Sequence, residues 1–286
     1  MHVPRHRSFF VLLVVVAALA FPTATFANHS WNGYHWARQS NPFNVKLGNN
    51  LSSVWQQYLG KTSSDWSVSV VLDTTIVAGQ TNPRSCRPTT GRDEVCNSTY
   101  GNTGWLGVAQ IWVSSSHITQ GTVKLNDTYF NTSNYNTFAW REMVTCQEVG
   151  HTFGLAHQDE NFNNTNLGTC MDYTNDPTGT AGTNGTLANT SPNQHDYEEL
   201  VTIYSHLDST TTVFSFPTVS AFIANPPADD ADLSDPAEWG IEVARSGDGH
   251  ISTFERNLGN DEKLVTYVIW ADRDQDVRSG QDSKQR

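Results

Sequence analysis

The feature that most constrains this chain is a short run near its middle, which reads CQEVGHTFGLAH. Gln147 and His151 lie four positions apart, so a helix would place both side chains on one face, with Glu148 beside them. Gly154 can adopt the left-handed conformation that ends a helix, and the chain can then double back to bring His157 to the same point. Imidazole nitrogens are common ligands of metal ions. The run therefore predicts a helix, a turn and a metal site with a carboxylate next to it.

The same run resembles the long zinc-binding signature of the metzincin metalloproteases, HExxHxxGxxH. It matches that signature at Glu148, His151, Gly154 and His157. The sequence Cys170-Met171-Asp172-Tyr173 follows at a distance that suits the methionine turn found beneath the metal in that family. The resemblance extends over residues 45–207 or so and is closest to the matrixin branch.

The resemblance also implies roles for individual residues. It implies a zinc ion bound by Gln147, His151 and His157. Glu148 would be the general base, Tyr173 a hydrogen-bond donor to the transition state, and Met171 a residue packed under the metal without binding it. Residues 107–112 are similar to the family's edge strand, which lines the cleft. An extended peptide substrate would then pair with the backbone of that strand.

One position departs from the family pattern, because Gln147 stands where metzincins have their first histidine. A glutamine can offer its amide oxygen from the same helix face, but zinc prefers imidazole or thiolate. Either Gln147 binds the metal, or Tyr173 or Asp159 replaces it, or no metal binds. Glu148 favours catalysis, since a purely structural site does not need that carboxylate. The sequence thus predicts a zinc metalloendopeptidase, with a catalytically silent, protease-like binding protein as the alternative.

The four cysteines allow three disulfide pairings. A Cys86–Cys96 bond would close a short loop rich in proline and arginine. In metzincins the methionine turn lies below the active-site helix, so the resemblance implies a second bond between Cys146 and Cys170. No C-x-x-C spacing occurs, which makes a cysteine metal site the weaker interpretation.

The first 27 residues are typical of a secretory signal peptide, with Arg5 and Arg7, an apolar run over 9–21 and small residues up to Ala27. We expect the mature chain to begin at Asn28 and to be secreted. Removal of two of the 17 basic residues and none of the 29 acidic ones leaves a net charge of 15 − 29 = −14. Such a charge argues against nucleic acid and anionic membranes as partners. We expect a monomer that binds an extended peptide or protein substrate.

Hydrophobic periodicity and turn residues predict an α+β fold. With the resemblance, this becomes a metzincin-like domain over 28–215: a twisted mixed sheet with an edge strand lining the cleft, an active-site helix, a methionine turn and a C-terminal helix. The predicted helices are 50–59, 137–154 and one capped by Ser191, and the predicted strands are 66–77, 105–113 and 122–130. An acidic, proline-rich linker (216–236) then leads to a small β meander (237–272) and a polar tail (273–286).

Other metal-binding signals in the sequence are weak. Three aspartates alternate like the start of a calcium loop, namely Asp272, Asp274 and Asp276, but the glycine and closing glutamate of such a loop are missing. A solvated acidic tail is therefore favoured, and calcium has no support. Three histidines have no companion at ligand spacing and predict no metal site: His117, His206 and His250.

Overall fold

A computed structural model of the chain describes residues 29–180, 185–213 and 232–272. The predicted signal peptide, most of the predicted linker and the polar tail lie outside the described residues. Among those residues, no helix combines the length and apolar character needed to cross a membrane.

The described chain contains nine strands and four α-helices. The strands are β1 His35–Trp36, β2 Phe43–Asn50, β3 Leu72–Ala78, β4 Asp93–Ser98, β5 Trp105–Ser114, β6 His117–Asn126, β7 Ile241–Arg245, β8 Ile251–Gly259 and β9 Glu262–Trp270. The helices are α1 Gln56–Trp66, α2 Asp127–Phe130, α3 Phe138–Thr152 and α4 Gln194–Ile203. A single 3₁₀ turn, Pro236–Glu238, precedes β7. The predicted α+β class is confirmed.

All nine strands form one mixed sheet, in which eight follow the order β3-β2-β4-β6-β5-β9-β8-β7. β2 pairs in parallel with β3 and β4, and β4 pairs in parallel with β6. The short β1 lies off this path and pairs in parallel with the start of β6. From β5 onward every pairing is antiparallel.

The prediction that 107–112 forms an edge strand is wrong. This segment lies inside β5, which pairs with β6 on one side and with β9 on the other, from Trp105↔Trp270 to Ser114↔Glu262. The physical reason is burial: Val265, Tyr267 and Ile269 of β9 are all buried in the main core. The three strands predicted for the β meander exist as β7, β8 and β9, but they extend the main sheet instead of forming a separate small sheet.

Local signals set the ends of the helices near the site. The Thr137 hydroxyl accepts a hydrogen bond from the backbone N–H of Trp140 at 3.2 Å and caps α3, as predicted for a helix starting near this residue. A capping box between Asn193 and Asp196 starts α4, two residues later than the predicted cap at Ser191.

Several predicted elements have shifted boundaries. The strand predicted over 66–77 is β3, which begins only at Leu72, because Trp66 is the buried last residue of α1. The first helix begins at Gln56, because β2 continues to Asn50, and it runs past Gly60 since its buried face extends to Trp66. The strand predicted over 122–130 ends at Asn126, whose side-chain oxygen accepts from the Thr128 N–H and starts α2.

Both predicted disulfides are confirmed. Cys86 is bonded to Cys96, and Cys146 in α3 is bonded to Cys170, and no described cysteine is free. Helix α3 packs against α1, β5 and β6, so the residues from Cys146 to His151 lie buried inside the fold.

Candidate functional site

The end of α3 and the turn that follows bring the two signature histidines together. Gly154 has a φ of +94°, and a Cβ on it would lie 2.0 Å from the carbonyl oxygen of Tyr34, so only glycine fits there. After this turn His157 approaches His151, with 3.1 Å between their Nε2 atoms. Both residues are buried, and His157 is 8 % exposed. The predicted reversal of the chain is confirmed.

The other ring nitrogen of each histidine contacts an acceptor. His151 Nδ1 lies 2.8 Å from the carbonyl oxygen of Leu155. His157 Nδ1 lies 3.5 Å from Glu160 Oε1, a contact that lowers the pKa of Glu160. We infer from these contacts that both Nδ1 atoms carry the proton and both Nε2 atoms carry a lone pair.

Two lone pairs facing each other at this distance repel unless a cation lies near them. Burial, followed by the neighbouring His157, holds the pKa of His151 well below its usual range, so the His151 imidazole is neutral. Two nitrogen ligands of a tetrahedral zinc ion lie roughly 3.3 Å apart. Metal-binding histidines also usually donate their second N–H to a carbonyl or a carboxylate. The His151–His157 pair therefore fits a metal site.

Gln147 and Glu148 precede His151 on α3, and both are fully buried. Neither the amide of Gln147 nor the carboxyl of Glu148 has a hydrogen-bond partner in the described structure. The backbone N–H of Ala109 is near enough to lower the pKa of Glu148 in part, although it does not reach hydrogen-bond geometry. Burial is the larger effect and raises that pKa well above its usual range. Such orphaned polar atoms call for a ligand or an ion.

The segment predicted to be a methionine turn, which contains Cys170 and Met171, packs against α3. A Cβ on Gly150 would lie 2.7 Å from the sulfur of Met171, so this sulfur packs directly against α3. The Cys146–Cys170 bond joins the same two segments.

The two replacement candidates for the third ligand are engaged elsewhere. Tyr173 is 1 % exposed, and its hydroxyl donates to the carbonyl oxygen of Trp270 at 3.2 Å. Asp159 Oδ1 accepts from the Asn161 N–H at 2.6 Å within the loop after His157. Of the three sequence candidates, Gln147 alone has a side chain without a hydrogen-bond partner.

The C-terminal strand covers this site. Tyr267 of β9 pairs with Ala109 of β5, and the Tyr267 ring stacks on the ring of His151. The position beside 107–112 that was predicted to bind a substrate is therefore occupied by β9 of the chain itself. The six consecutive buried residues of β9, 264–269, are typical of a strand covered on both faces, but they do not say which strand it joins.

A second group of potential metal ligands lies elsewhere in the fold. His35, His206 and Asp208 place one ligand atom each within 4.8 Å of the others, and this is the only such His/Cys/Asp/Glu group among the described residues. The group could hold a metal ion. The expectation that His117 and His206 lack companions is wrong, since His117 Nε2 also lies 3.2 Å from Asp208 Oδ1. Its members come from distant parts of the chain, and the His206-Leu207-Asp208 triplet is the only local signal.

Comparison with known proteins does not identify the chain: no protein-family model matches it, and neither does any curated protein.

Proposed function

We propose that this chain is a secreted zinc-dependent endopeptidase, and that its own C-terminal strand keeps it closed. The observation that carries the proposal is that the Nε2 atoms of His151 and His157 face each other 3.1 Å apart, while the Nδ1 atom of each ring lies near an acceptor. They lie on the same buried segment as Glu148 and Gln147, whose polar atoms have no hydrogen-bond partner. Two disulfides agree with an oxidising compartment.

His151 and His157 would hold the metal through Nε2, and Gln147 would add its amide oxygen. Bound zinc would polarise a carbonyl and lower the pKa of a water molecule to about 7. Glu148 would accept the proton of that water. Burial raises the pKa of Glu148, which makes its carboxylate a stronger base. Glu148 would then pass the accepted proton to the leaving amine. Met171 would support the helix from below.

In the described state, the backbone of β5 is paired on both sides, so a peptide cannot add to it. A substrate would need the position of β9, since strand addition uses the same backbone donors and acceptors. Displacement of β9 would also release the Tyr173 hydroxyl from the carbonyl of Trp270. We therefore expect slow cleavage by the intact chain and an extended peptide as the substrate.

The alternative is a catalytically silent binding protein with a protease-like fold. Complete burial of Gln147 and Glu148 favours it, as does the missing first histidine. In that case the metal, if bound, would serve stability alone.

The test is chelator-sensitive cleavage of an unstructured protein by the mature full-length chain, beside the Glu148→Gln variant. The amide has the shape of the protonated carboxyl, so the fold and the zinc content should be unchanged. Slow cleavage by the wild type, lost with chelator, restored by zinc and absent in Glu148→Gln, would support the endopeptidase. Equal rates for the two proteins would contradict it. If the wild-type chain does not cleave the substrate, and still does not cleave it when a substitution weakens the packing of β9, the result would favour the binding protein.

A further inference from the structure

We propose a second metal site, separate from His151 and His157, that takes zinc or a similar imidazole-preferring divalent ion. It consists of His35, His117, His206 and Asp208, which we call the Asp208 cluster. This inference does not depend on any peptidase activity.

Three imidazoles converge on one carboxylate oxygen of Asp208. The Nε2 atoms of His117, His206 and His35 lie 3.2, 3.5 and 3.6 Å from Asp208 Oδ1. Two ligand atoms on one tetrahedral zinc ion lie roughly 3.3 Å apart, so each of these distances matches a pair of zinc ligands. His35, His206 and Asp208 are also mutually close enough to share one ion. His117 lies 3.2 Å from the same Asp208 oxygen and is a fourth candidate ligand.

The contacts of His35 agree with a metal ligand. Its Nδ1 donates a hydrogen bond to the carbonyl oxygen of Gly33, with 2.7 Å between the two atoms. Its Nε2 faces Asp208 Oδ1 at 3.6 Å and has no hydrogen-bond partner in the described structure. A metal ion between this nitrogen and the carboxylate would give it a partner, and the second N–H of a metal-binding histidine is commonly held by a backbone carbonyl in this way.

Hydrogen bonds from Arg38 hold the Asp208 carboxylate in position. Asp208 Oδ2 accepts hydrogen bonds from the backbone N–H of Arg38 at 3.1 Å and from its guanidinium at 2.8 Å. These bonds turn Oδ1 towards the histidines, as the outer contacts of metal ligands commonly do. Because Arg38 already balances the charge of Asp208, the imidazoles must supply most of the affinity. That ligand set favours zinc, copper or nickel over magnesium and calcium.

The location indicates what the ion would do. His35 lies on β1 and pairs in register with His117 at the start of β6, whereas His206 and Asp208 follow α4. An ion would therefore join the N-terminal segment to the segment after the last helix. The neighbouring Trp36 donates its indole N–H to the carbonyl of Thr152 at the end of α3. The side chain of His206 is 55 % exposed, which gives an ion access from solvent.

The experiment counts the zinc bound by the mature full-length chain after equilibrium dialysis, for the wild type and for His206→Ala. Leu207→Ala is the matched control, because Leu207 is an exposed neighbour in the same triplet and offers no ligand. We expect His206→Ala to bind one zinc fewer than Leu207→Ala, and His117→Ala to bind zinc in the cluster more weakly. Equal zinc content in His206→Ala and Leu207→Ala would overturn the proposal.

A His151→Leu variant separates this inference from the proposed function. If only the Asp208 cluster binds zinc, His151→Leu keeps the wild-type content while His206→Ala loses it. If only the His151–His157 pair binds zinc, His151→Leu loses the zinc and His206→Ala keeps the wild-type content. That result would overturn the proposed Asp208 cluster and leave the proposed His151–His157 site in place. Cobalt substitution adds a readout: the tetrahedral absorption of the cluster should be lost in Asp208→Asn, which loses the carboxylate charge, and kept in Leu207→Ala.

Discussion

The ring of Tyr267 lies flat on the ring of His151, with centroids 4.3 Å apart and planes 5° from parallel. The contact joins β9, the last described strand along the chain, to the helix that carries Gln147, Glu148 and His151. The Tyr267 hydroxyl is buried and has no hydrogen-bond partner, and burial raises its pKa well above the usual range. The aromatic ring, rather than the hydroxyl, therefore stabilises the closed arrangement.

We expect Tyr267→Phe and Tyr267→Ala to behave differently. Phenylalanine keeps the stack and removes an unpartnered hydroxyl, so the free energy of unfolding should stay equal or rise slightly. Alanine leaves a cavity above His151 and should cost about 3–5 kcal/mol. Alanine should also speed the removal of zinc by a chelator and, on the proposed function, the cleavage of an unstructured protein. Urea unfolding measures the change in stability, and the rate of zinc removal by a chelator measures access to the metal. Equal zinc-release rates in both variants would show that β9 does not limit access to the site.

Gln147 offers a direct test of the third ligand. A Gln147→His change would restore a full set of three imidazoles on α3 and the following turn, and we expect zinc to bind roughly 10- to 100-fold more tightly. Competition with a coloured chelator measures the affinity. The His206→Ala background removes the second proposed site from that measurement.

The control for this prediction is Gln147→Leu. Without metal it replaces two buried, unpartnered polar atoms by apolar ones, so stability should be equal or higher. With zinc present, the metal-induced gain in stability should shrink if the amide is a ligand. Unchanged affinity in Gln147→His would mean that residue 147 does not face the metal.

Elements with local signals could be predicted from the sequence. The cap at Thr137, the i, i+4 spacing of Gln147 and His151, and the glycine at 154 together specify α3 and its reversal. The disulfide between Cys146 and Cys170 followed from the resemblance, because the fold it implied places the methionine turn under the helix.

The rest could not be predicted, because it depends on pairing between distant segments. Strand β9 begins at Glu262 and pairs with β5, which ends at Ser114, far earlier in the sequence. The pattern of side chains along a strand does not specify which strand is its neighbour. The Asp208 cluster likewise collects His35, His117 and His206 from three parts of the chain. Gly60 shows the opposite failure, since a local stop signal was overridden by the buried face of α1.

Asp93 should make stability depend on pH. This carboxyl is fully buried and accepts a hydrogen bond from the Thr152 hydroxyl at 2.7 Å. Burial raises its pKa from 3.8 to about 8, and the hydrogen bond offsets part of that rise. Between those two pH values the native state binds more protons than the unfolded state, so the free energy of unfolding falls as pH rises. One such group contributes a slope of at most about 1.4 kcal/mol per pH unit.

Asp93→Asn should remove that contribution, so the variant should gain stability relative to the wild type as pH rises from 5 towards 8, a window inside the shift of the Asp93 pKa from 3.8 to about 8. The measurement is urea unfolding at several pH values with chelator present, which excludes metal linkage. Buried Glu142 has a similarly raised pKa, so the difference between the two proteins, rather than either curve alone, isolates Asp93. A difference that stays constant across the range would contradict the assignment.

The Cys146–Cys170 bond should contribute to stability beyond its local contacts. It closes a loop with a sequence separation of 24, which contains the signature turn and ends at the methionine turn. The chain-entropy estimate for such a loop is about 3–4 kcal/mol. We expect Cys146→Ala/Cys170→Ala to lose roughly that amount in urea unfolding, and also to bind zinc less tightly, because Met171 then supports α3 less firmly. The Cys86–Cys96 bond closes a shorter loop, with a sequence separation of 10, that contains neither α3 nor the turn after it. The corresponding double variant should therefore lose stability without a change in zinc affinity. Equal losses of zinc affinity in both variants would indicate general destabilisation rather than support of the site by this bond.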